Sequence, residues 1–103
     1  MCCEVMVMAE DAVKGMLVVD FMTWSMMASW LASVVDELKK DSCLDEDTAD
    51  LERRNLLHGV SLAIEAYKNT DENRMNMARD IIVGVMDKVV STLDSCDKRG
   101  DKA

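Results

Sequence analysis

His58 and four cysteines, Cys2, Cys3, Cys43 and Cys96, are the residues of this chain best suited to chemistry near neutral pH. A histidine beside a thiolate makes a nucleophilic pair, provided that a third group orients the ring and the thiol is activated. Nothing in the sequence marks Cys43 or Cys96 as activated, and the simpler expectation for His58 is a structural or surface histidine. Zinc is not expected. Cys2 and Cys3 are adjacent, no Cys-x-x-Cys occurs and His58 is the only histidine, so the spacing fits no zinc template. Gly15, Gly59, Gly84 and Gly100 stand singly, so no glycine-rich phosphate loop exists.

The acidic residues Asp41, Asp45, Glu46, Asp47, Asp50 and Glu52 form the densest charged stretch. An EF-hand loop counted from Asp45 would need glycine at its sixth position and glutamate at its twelfth, where Asp50 and Leu56 stand. Calcium binding is therefore not expected; acids in the first turn of a helix explain the cluster. The sequence implies no cofactor and no metal. Composition narrows the remaining classes. Twenty acidic residues against twelve basic ones give −8, which opposes direct contact with nucleic acid. Half the residues are hydrophobic, too many for a disordered acidic tail.

The N-terminus lacks the basic leader of a secretory signal, and Glu4, Glu10 and Asp11 interrupt its apolar stretch. The longest uncharged run, residues 21–35, falls short of the ~20 residues that span a bilayer. A cytoplasmic protein without membrane contact follows as the expectation, with reduced thiols as the default for that compartment.

The elements are legible from helical punctuation. No proline interrupts the chain, and the spacing predicts an all-α antiparallel bundle of three long helices in one domain, residues 1–103. The helices are expected at about 3–40, 46–69 and 71–97, with a frayed tail at 98–103. Lys39 and Lys40 close the first unit at the negative end of its dipole. Ser42 with Asp45, or Asp47 or Thr48 alone, are the candidate caps of the second, and Thr70 that of the third. Met75, Ala78, Ile82, Val85, Val89 and Cys96 give the third unit its apolar seam; Leu51, Leu56, Val60, Ala63, Ile64 and Tyr67 give the second.

In the first unit Met6, Val13, Leu17, Trp24, Met27, Leu31 and Leu38 lie opposite a polar stripe of Glu4, Asp11, Lys14, Asp36 and Lys40. Val18 and Met22 sit on that polar stripe, and Asp20 points into the apolar side. Two repairs are open. Either the unit breaks between Gly15 and Asp20, Asp20 caps a helix from Phe21 and the bundle has four helices, or one helix persists and another chain covers its apolar middle. The balance favours the break. Up-down-up order brings Cys43 and Cys96 to one end, which makes them the pair geometry favours for any disulfide.

These features predict a small non-enzymatic protein-protein interaction module, an adaptor, regulator or inhibitor. It would self-associate as a homodimer through Val18, Met22, Trp24, Met26, Ser29 and Trp30, where methionines flank tryptophan on a stretch of small residues. The alternative is an inhibitor of a basic nucleic-acid-binding protein or nuclease, using Asp41, Asp45, Glu46, Asp47, Asp50 and Glu52 to occupy its positive groove. Virus-encoded inhibitors of defence nucleases, anti-CRISPR proteins among them, work in this manner. A Cys-His enzyme ranks last.

Overall fold

A computed structural model describes the backbone over residues 2–101 and side chains over residues 12–96. Three helices follow in order, α1 (Cys2–Lys40), α2 (Glu46–Asn69) and α3 (Glu72–Asp101), and each packs on the other two. No strand occurs among the described residues. The turns are short, so neighbouring helices run antiparallel and form the up-down-up bundle. Its long dimension is 69 Å, of which the 39 residues of α1 span about 58 Å, well beyond the reach of the 24 residues of α2. The backbone of α3 continues to Asp101, past the expected end at residue 97 and into the segment expected to fray.

Helix α1 is unbroken, which corrects the expected interruption between Gly15 and Asp20. A glycine in a helix interior costs only about 1 kcal/mol, and buried Leu17 within the suspect region, with half-buried Val13 and Trp24 on either side of it, anchors the helix. Asp20 has no need to cap. It is half-buried rather than enclosed, at the edge of a small depression shared with Glu72 and Asn76 of α3.

The core has two clusters. Leu31, Val35, Leu38, Leu56, Ile82 and Val89 dominate one, while Leu17, Ala63, Ala66, Met75 and Ala78 form the other; Trp24 packs against both. The predicted seam of α3 is buried from Met75 to Val89. The predicted seam of α2 holds in part: Leu56 and Ala63 are buried and Val60 and Ile64 half-buried, but Leu51 and Tyr67 are exposed, and Ala49, Glu52, Gly59 and Ala66 complete the buried stripe. Small side chains allow α2 and α3 to approach closely. A Cβ added at Gly59 would lie 2.8 Å from Ile82 Cγ1.

Two turns end on residues in the left-handed region. Ser42 (φ 62°) closes α1, with the Cys43 N–H donating to Leu38 O at 2.8 Å. Thr70 (φ 51°, ψ 51°) closes α2, with its N–H donating to Ala66 O. Thr70 is thus the C-cap of α2 and not the N-cap of α3, a role taken by Asp71, whose Oδ1 accepts from Arg74 N at 3.2 Å. The N-cap of α2 is Asp45 itself, not Ser42, Asp47 or Thr48. A β-branched residue is strained at positive φ. Thr70→Gly is therefore expected to stabilise the chain by about 1 kcal/mol, read as an upward shift of the thermal midpoint; an unchanged or lower midpoint would refute the strain.

Cys43 and Cys96 are joined by a disulfide with their Cα atoms 5.8 Å apart. The pairing is the one that up-down-up order favours, and it replaces the expectation of reduced thiols at these positions. The Cys2 and Cys3 side chains lie outside the described residues.

Candidate functional site

Helix α1 buries Leu17, Ala28, Leu31, Val35 and Leu38 and leaves its opposite face uncovered. On that face stand Met16, Val19, Met22, Met26 and Trp30, with exposures of 64%, 61%, 56%, 71% and 55%. Thr23 and Ser29 are also exposed. Met16, Val19, Thr23, Met26 and Trp30 recur at steps of three, four, three and four, the repeat that lets one helix keep a straight seam against another. Thr23, Met26, Met27 and Trp30 line a shallow depression of about 540 Å³ on this seam.

Of the residues expected to self-associate, Met22, Met26, Ser29 and Trp30 lie on this face. Val18 is half-buried at its margin. Trp24 belongs inside, packed against both core clusters, because it falls on the Leu17-Leu31 side of the helix. Met16 and Val19 were missed; their three-and-four spacing with Met26 and Trp30 was the signal that could have found them.

The acid-rich end is less uniform than its sequence. Asp45 accepts a hydrogen bond from Thr48 N, and its hydrogen bonds with Thr48 hold its carboxyl below the usual aspartate range. Glu46 faces Lys39 at 3.9 Å, and Asp50 pairs at 3.0 Å with Arg53, which also reaches Asp36 of α1 at 3.2 Å. Asp41 and Asp47 are exposed. Glu52 is 1% exposed, so it forms no part of an acidic surface. Its place on the buried stripe with Ala49 and Leu56 takes it inside, where Oε1 accepts from Lys88 Nζ of α3 at 3.1 Å. Thus only part of the acidic stretch presents unshielded charge.

His58 is exposed on α2, and the Cys43 and Cys96 thiols are consumed by their disulfide. Among the described residues, no group of three or more His, Cys, Asp or Glu could hold a metal ion. Residues 12–40 of α1 are long and apolar enough, by length and composition, to cross a membrane, and 17% of their most apolar window is buried in the bundle. The 21–35 run judged too short counts only uncharged residues; a window that admits one or two charges is longer.

No protein family, curated protein or solved structure was found to match this chain.

Proposed function

We propose that this chain is a small non-enzymatic interaction module that self-associates through the outer face of α1. The observation that carries this reading is the exposed seam Met16-Val19-Thr23-Met26-Trp30, five residues at coiled-coil spacing without an acid or a base among them. A monomer gains nothing from leaving such a stripe in water, and apolar patches of this kind mark interaction sites. A second copy is the occupant that fits. Two chains of charge −8 repel over most of their surfaces and can meet closely only where charge is absent. The seam is such a place, and it presents to a copy of itself the same periodic row of knobs. Polar Thr23 near its middle gives the pairing a registration point.

Sedimentation equilibrium tests this directly. The wild-type chain is expected as a dimer that persists or tightens as salt is raised, since an apolar contact is not screened while the repulsion between two chains of charge −8 is. Met26→Glu and Trp30→Glu are each expected to give monomers with unchanged helical circular dichroism, because both side chains are mostly solvent-exposed within one chain. A wild-type chain that stays monomeric at every attainable concentration would end the reading. Association that collapses at high salt would instead favour a charged surface centred on Asp41 and Asp47.

A further inference from the structure

A second site lies away from α1's outer face, in the cleft between α2 and α3 beside the α1–α2 turn. Its volume is about 380 Å³, within the range of small-ligand sites. Leu44 and Val89 provide apolar wall, and Thr48, Glu52, Asp87 and Lys88 provide polar groups. Glu52 is the unusual member. It is buried, and while Oε1 accepts from Lys88 Nζ, Oε2 is shielded from solvent with no hydrogen-bond partner. A carboxylate has about four lone-pair sites, and leaving one oxygen bare in low dielectric is costly. Arg53, next to it in sequence, pairs through its terminal nitrogens with Asp36 and Asp50 and makes no hydrogen bond to it, although its own buried Nε also lacks a partner. The charged groups lining the cleft are Glu52, Asp87 and Lys88, one negative charge in excess.

We infer that this cleft binds an organic cation with a short aliphatic body, an alkylguanidinium in chemical class. The guanidinium displaces the Lys88 ammonium, whose side chain is 63% exposed, from Glu52 and pairs with its carboxylate, with Asp87 as the second anion, and the alkyl stem lies along Leu44 and Val89. A guanidinium suits a desolvated carboxylate better than an ammonium, being planar and more weakly hydrated. A cation is selected over a neutral donor because the bare acceptor is charged and the lining is net anionic.

The test is a titration of the intact oxidised chain with n-butylguanidinium, followed by amide chemical shifts, with neutral n-butylurea as the isosteric control. Saturable shifts at Leu44, Thr48, Val89 and Thr92 are expected with the cation and not with the urea. Glu52→Gln keeps the shape and is expected to weaken binding about tenfold or more, the cost of losing a charged hydrogen bond. Should that variant not fold, Asp87→Asn on the exposed rim serves instead, with an expected loss of about threefold. A second arm replaces the probe by N-acetyl-arginine methylamide. Binding of both means that the cleft also accepts an arginine side chain from a protein, and binding of n-butylguanidinium alone means a free ligand; either supports the site. Equal shifts with cation and urea, no shift with either, or wild-type affinity in the variants would overturn it.

Discussion

Replacing Cys43 and Cys96 together by serine is expected to lower the unfolding free energy by roughly 4 kcal/mol, from the 53-residue separation that the disulfide closes. For a chain of this size that is a drop in thermal midpoint of more than about 15 °C. The effect arises largely in the unfolded chain, which gains the freedom that the cross-link denied it. The native bundle loses little, since Cys43 and Cys96 are only half-buried at one end. Urea unfolding of the oxidised chain, the reduced chain and the double variant distinguishes this account from lost packing. The reduced chain and the double variant are expected to agree, and both to show a steeper denaturant dependence than the oxidised chain, as a less compact unfolded state requires. Equal midpoints in all three would show that the cross-link contributes nothing.

The second large effect is expected at Lys88. Lys88→Met removes the donor from a carboxylate whose side chain is 2% exposed, and the expected cost is about 2–3 kcal/mol. The lysine itself is 63% exposed and loses little by its own removal. The destabilisation therefore comes from the charge left behind on Glu52. It follows that Glu52→Met in the Lys88→Met background should recover most of the loss, because two apolar side chains replace the pair without stranding an ion. A double-mutant cycle by urea denaturation measures the coupling, expected near 2 kcal/mol. Additive single effects would show that the two residues stabilise the fold separately.

The three helical units and their order were legible in the sequence because the boundaries between them obey dipole and turn chemistry and no proline competes; whether the first unit was one helix or two was not. The Cys43–Cys96 pairing followed from topology alone, once helix order placed both at one end. Other features depended on which side of a helix finds a neighbour. Asp20 weighed against a continuous α1 on a helical wheel, but a wheel does not show that the bundle leaves this flank half open. In α2, a search for large apolar residues selects Leu51 and Tyr67. The buried stripe instead includes Ala49, Gly59 and Ala66, whose value lies in their small size and is invisible to hydrophobicity. Glu52 was read with its acidic neighbours although its phase on the helix is that of Ala49 and Leu56. Trp24 was grouped with Trp30 by composition, whereas six residues of helical rotation set one in the core and the other in solvent.

The disulfide also divides the molecule covalently. The Thr70-Asp71 turn joins α2 to α3 at one end and Cys43–Cys96 joins them at the other, so the two helices form a closed ring of chain. Helix α1 lies outside that ring. It is tethered to it at one end, through Asp41 and Ser42, and otherwise held by noncovalent packing and the Arg53–Asp36 and Lys39–Glu46 ion pairs. Two units of different cohesion result. Oxidation fastens the α2–α3 pair whatever α1 does, and the helix that carries the exposed seam is the element free to lift, tilt or exchange partners without breaking a bond.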